Sequence, residues 1–209
     1  MKQTIKSSVL AFGILSSFAF GGNTSVPVSA PVVPIVNDFS PTFYIGGGLS
    51  YFWLEDDISS EKFSSYLWMI SGGVNLNEYF GVETRYYRSF GDMEYEHGDT
   101  QNPNYDDFPA TFYDLGVYVK GRYAIGDFEP YVLLGYGEIQ FDAMPYTSGR
   151  AKRTENGFQW GVGASYGFTE NISFFCDYVE FYRGDGFDGR ATQFTVTSDA
   201  VTFGFTYKF

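Results

Sequence analysis

The chain has one cysteine, one histidine and, beyond its first twenty or so residues, no long apolar run. Cys176 therefore has no partner for an internal disulfide, and it lies too far from the N-terminus to carry a lipoprotein anchor. It falls in a segment of alternating apolar residues, where it reads as a small hydrophobe. His97 stands alone in an acidic stretch with no serine in a nucleophile motif, and His97-Gly98-Asp99 is an uninformative triplet. Cys/His metal clusters and Gly-rich phosphate loops are missing, so no cofactor and no metal are expected. Without a run approaching roughly 18 to 20 apolar residues, the mature chain has no spanning helix. Positive charge is also scarce. Thirteen Lys and Arg face 25 Asp and Glu, for a formal charge of −12, which makes nucleic acid a poor partner.

Aromatic residues, at 21%, and 25 glycines are what the chain has in excess. Its last twelve residues show how they are used. Val201, Phe203, Phe205, Tyr207 and Phe209 alternate with Ala200, Thr202, Gly204, Thr206 and Lys208. Such a strand has one apolar face and one of small or charged residues, which suits a wall between lipid and a polar lumen. Ahead of it, residues 1–21 read as a secretory signal: Lys2 and Lys6, an apolar centre from Val9 to Phe20, and a small-x-small site at Ala19-Phe20-Gly21. Residues 22–40, with Pro27, Pro31 and Pro34, read as an extended leader. Residues 41–209 form the folded domain.

Eight segments of that domain carry strand patterning: 42–53, 63–75, 79–90, 110–125, 128–140, 156–168, 172–182 and 198–209. The connections alternate in length. Residues 54–62, 91–109, 141–155 and 183–197 are long, whereas 76–78, 126–127 and 169–171 are tight turns rich in Asn, Asp and Gly. A soluble lipocalin-like barrel lacks this asymmetry. The pattern predicts an all-β fold: an eight-stranded antiparallel up-and-down transmembrane β-barrel, with long loops at one end.

Charge on the lipid side of such a wall costs several kcal/mol, which fixes the facing of each strand. Tyr113, Leu115, Val117 and Val119 point to lipid, as do Val82, Thr84 and Tyr86, and Phe158, Trp160 and Val162. Glu83, Arg85, Asp114, Lys120, Arg122, Asp177 and Lys208 then share the lumen as a network of paired charges, since isolated buried charges are expensive. That network is either a structural core or a gate in a narrow ion path. The segment 128–140 is apolar on both parities, so its facing stays open. Inward glycines, among them Gly46, Gly48 and Gly163, leave room in a narrow barrel. Acidic residues of the 91–109 connection, including Asp92, Glu94 and Asp106, match no calcium-loop spacing and read as solvated surface. Arg150, Lys152 and Arg153 form a basic loop able to meet lipopolysaccharide phosphates.

Taken in order, several short motifs resemble the small outer-membrane β-barrel family that includes the opacity proteins and the membrane domain of outer membrane protein A. They are Phe43-Tyr44-Ile45-Gly46-Gly47-Gly48, Gly73-Val74-Asn75-Leu76, Val82-Glu83, Pro130-Tyr131, Asp177-Tyr178 and Phe203 to Phe209. The resemblance covers residues 41–209. It implies location in the outer membrane of a Gram-negative cell, among its lipids and lipopolysaccharide. Tyr207 and the terminal Phe209 resemble the signal read by the barrel-assembly machinery. Because the chain stops at the barrel, peptidoglycan binding is not implied. The function it implies is a non-enzymatic anchor that displays four extracellular loops to an unknown partner for surface interaction or adhesion. The alternatives are a narrow channel through the charged lumen and a lipid-modifying enzyme, the latter requiring His97.

Overall fold

The computed structural model describes residues 40–56, 62–96, 107–108, 110–145, 150–184 and 195–209. The expected signal at 1–21, the leader up to residue 39, and His97 lie outside the described residues. Ten strands are present among those described: β1 (Thr42–Asp56), β2 (Lys62–Asn75), β3 (Phe80–Ser89), β4 (Met93–Glu96), β5 (Asp107–Phe108), β6 (Thr111–Arg122), β7 (Phe128–Pro145), β8 (Arg150–Gly167), β9 (Ile172–Gly184) and β10 (Val196–Lys208). Eight of them pair antiparallel with their chain neighbours, in the order β1-β2-β3-β6-β7-β8-β9-β10. β10 returns to β1, from Tyr44 opposite Lys208 to Asp56 opposite Val196, and the sheet closes. Closure leaves no strand edge among the eight, as a wall in lipid requires.

Local chemistry explains the tight turns. Asn77 Oδ1 accepts the backbone N–H groups of Tyr79 and Phe80 at 2.8 and 2.7 Å, which bends β2 into β3. Thr169 Oγ1 accepts the N–H of Ile172 at 2.9 Å between β8 and β9. Gly126 takes φ +63° between β6 and β7, a conformation that favours glycine. All three turns and Phe209 share one end, here the turn end. The loop end lies opposite.

Facing follows the alternation. Leu115, Val117, Val119, Leu134, Tyr136, Phe158, Val162, Phe203 and Phe205 are exposed on the outer wall. Tyr131, Leu133 and Ile139 are buried, so β7 turns its odd residues inward and Val132, Leu134 and Tyr136 outward. Aromatic rings ring the turn end, where Tyr79 stacks on Tyr123 at 6.3 Å and Tyr207 meets Phe209 edge-on at 5.3 Å. Tyr51, Trp53, Trp160 and Tyr178 form the corresponding belt towards the loop end.

Two connections differ from their sequence reading. The 141–155 stretch is not a long loop: β7 and β8 pair as far as Pro145 and Arg150, with Phe141 opposite Arg153 and Asp142 opposite Lys152. Above the lipid the outward positions need not be apolar, and Glu138, Asp142, Lys152 and Thr154 are all exposed and polar. The pattern that marks a membrane strand therefore fades while the ladder continues. The 91–109 stretch also carries structure, because β4 pairs with Lys62 to Ser64 of β2 and β5 pairs with β4. This small extension carries Met93 into the buried core.

Candidate functional site: the filled lumen

The lumen is occupied by side chains in three layers. In the loop-end half, Phe52 of β1 stacks on Phe112 of β6 with ring centroids 4.2 Å apart. Phe141 lies 5.0 Å and Phe181 5.7 Å from Phe112, and Tyr87 meets Phe181 edge-on at 4.9 Å. Leu67, Met69, Met93, Ile139 and Val196 pack around these rings. Phe52 and Phe112 are both 0% exposed. Phe181 keeps the inward parity of Phe175, Asp177 and Val179, next to a register shift opposite Ser198/Asp199, where Glu180 pairs with Asp199 and Tyr182 with Ser198. The bulge adds one residue to β9 beside a side chain that ordinary alternation already points inward. Burying each ring contributes about 1.5 to 3 kcal/mol.

The middle layer is ionic. Arg85 of β3 donates through Nε to Glu83 Oε1 at 2.5 Å, through Nη2 to Asp177 Oδ2 at 2.8 Å and through Nη1 to the Tyr87 hydroxyl at 2.9 Å. Lys120 Nζ lies 3.4 Å from Glu83 Oε2 and 4.0 Å from the Tyr131 ring centroid. The hydroxyl of Tyr44 donates to Glu83, and that of Tyr131 donates to Asp177 at 2.7 Å. Two carboxylates and two cations are thus buried together, with both Glu83 oxygens and Asp177 Oδ2 engaged and Asp177 Oδ1 without a partner. Asp114 stands apart. It accepts Gln159 Nε2 at 2.6 Å, Gln159 in turn accepts the Tyr118 hydroxyl, and Asp114 Oδ2 has no partner. No ion pair to Asp114 occurs among the described residues.

Towards the turn end lies a cavity of about 20 Å³, walled by Tyr44, Asn75, Glu83, Lys120, Arg122 and Lys208 among others. Arg122 Nη1 pairs with Glu129 Oε2 at 3.4 Å. All seven lumen charges named from the sequence face inward. Glu83, Arg85, Lys120 and Asp177 meet in the middle layer, Arg122 and Lys208 stand below it, and Asp114 sits beyond it. Sequence reasoning missed Tyr44, Tyr131, Gln159 and Glu129, and the whole aromatic layer. Inward parity was available for Tyr44, Gln159, Phe52 and Phe112, whereas Glu129 and Tyr131 lie on the segment whose facing stayed open and Phe141 in a stretch read as a loop. Tyr207 and Phe209 face outward, 46% and 69% exposed. Lys152 is exposed on the outer wall opposite Asp142, and Arg150 and Arg153 belong to the same strand.

Among described residues, no group of three or more His, Cys, Asp or Glu is placed to hold a metal ion. Comparison with solved structures gives fold likeness throughout. Neisserial surface protein A (NspA) aligns with a TM-score of 0.60 at 16% identity, covering 82% of this chain and all of that one. OprG from Pseudomonas aeruginosa aligns at 0.58 and 16%, covering 81% and 96%. Ail, the attachment invasion locus protein of Yersinia pestis, solved with the heparin analogue sucrose octasulfate, aligns at 0.55 and 15%, covering 82% and all of that chain. No curated protein sequence is matched. The family model described as "Outer membrane protein beta-barrel domain" matches residues 16–209. With that match over most of its length and a closed eight-stranded wall, the chain belongs to the outer membrane protein beta-barrel family and resides in the outer membrane.

Proposed function

We propose that this protein is a sealed, non-enzymatic anchor that holds its long connections at the cell surface for contact with an extracellular partner. The observation that carries this reading is the lumen, closed by stacked Phe52 and Phe112 above and by the Arg85 ion pairs below. An eight-stranded barrel is just wide enough for side chains to fill it, and here they do. The long β7–β8 hairpin, built beyond the apolar belt, suits display rather than transport. Arg150, Lys152 and Arg153 along β8 are proposed to meet lipopolysaccharide phosphates, and Tyr207 and Phe209 to engage the barrel-assembly machinery. Ail was solved with a sulfated ligand, but a chain of net charge −12 is a poor general match for polyanions. An epitope inserted at residues 185–194 should stain on intact cells. Staining only after the outer membrane is opened would overturn the reading.

A further inference from the structure

We infer that the turn-end cavity is a binding site for a small oxyanion, of the phosphate or carboxylate class. Four cationic side chains line it: Arg85, Lys120, Arg122 and Lys208. Glu83 engages Lys120 and Arg85, Asp177 engages Arg85, and Glu129 engages Arg122, each at the distances given above. Lys208 has no ion-pair partner among the described residues, although it is half-buried and faces the same space. One positive charge is therefore left over in a confined site, where water screens it less than at an open surface. The rest of the wall supplies hydrogen-bonding groups. Ser173 and Thr206 bring hydroxyls. Asn75 is 2% exposed and its Oδ1 has no partner, and a half-turn of its amide puts an N–H donor where that oxygen stands.

The size of the space sets the class of ligand. About 20 Å³ holds one water-sized group, which matches a single oxygen of an oxyanion. The remainder of the ion would stay in the mouth, against Lys208 and Arg122, whose long stems let their heads follow it. A bulky or purely apolar ligand has no room there. Lys208 is on β10 and Arg122 on β6, opposite walls of the barrel, so an anion between them would tie those walls together.

The test is a titration of the folded barrel with inorganic phosphate in an uncharged detergent that carries no phosphate headgroup. Backbone amide shifts are followed by NMR, with sodium chloride at matched ionic strength as the control. Saturable shifts at Asn75, Lys120 and Lys208 are expected with phosphate and not with chloride. Acetate run the same way separates the sources. Saturation by acetate at lower concentration assigns the site to carboxylates, and saturation by phosphate first assigns it to phosphate. Lys208→Met should weaken the preferred ion about tenfold or more, the cost of losing one charge-assisted contact. Lys208→Arg should retain binding, and Lys152→Met should not change it. Heat-modifiable gel mobility checks that each variant is folded. Shifts that track ionic strength alone, or a folded Lys208→Met that binds as tightly as the parent, would overturn the proposal.

Discussion

Arg85 is the side chain on which most of the middle layer depends, since among the described residues it alone forms ion pairs with both Glu83 and Asp177. Its inward facing was legible in the sequence from parity and from the cost of a charge in lipid. Its partners were not, because parity gives a face and says nothing of height along the barrel. Replacing it by Met leaves Asp177 buried without the cation it pairs with and Glu83 with Lys120, and Arg85→Met should cost about 3 to 5 kcal/mol in urea unfolding. Lys152→Met, on an exposed outward position, should stay within about 0.5 kcal/mol. Gly137 offers a second test at this scale. A Cβ there would meet the Gln159 amide at 2.5 Å, and that amide already holds Asp114 and Tyr118. Gly137→Ala should therefore destabilise by roughly 1 to 3 kcal/mol, through the displaced hydrogen bonds. Gly72, whose Cβ would meet nothing within 4 Å, is the control position, and Gly72→Ala should be close to neutral by the same measurement.

The strands themselves were readable wherever lipid enforces alternation. β6 shows this best: Leu115, Val117 and Val119 are outward, while Asp114, Tyr118 and Lys120 are buried. Val117→Lys puts a charge near mid-membrane and should cost roughly 2 to 4 kcal/mol in the same unfolding assay. A harmless Val117→Lys beside an unfolded Arg122→Leu would mean the faces are reversed. Reading failed above the belt, where β7 and β8 continue with polar residues outward. It failed too at the loop-end half of the lumen, where inward residues are apolar and contrast with nothing. Phe52, Phe112 and Phe141 sit on inward parity, but a phenylalanine in a barrel strand reads first as lipid-facing. Phe181 shares the inward parity of Asp177 in the same way, and only the bulge beside it is announced by no residue of β9. Phe112→Ala removes the centre of that stack and should cost about 3 to 5 kcal/mol.

At the scale of the molecule, a closed sheet is filled from end to end: rings at the loop end, ion pairs at the centre, a water-sized cavity at the turn end. In the proposed function the apolar layer, not the charges, is what closes an ion path, because stacked rings with no exposed surface offer an ion nothing to replace its water shell. The central claim is thus a sealed lumen, and single-channel recording in a planar bilayer tests it most directly. The folded protein should give no steady conductance, and Glu83→Ala or Lys120→Ala should leave it silent, since the layer of Phe52, Phe112, Phe141 and Phe181 remains. A steady unit conductance in the parent protein that changes with either substitution would contradict the account and make the charged lumen a channel.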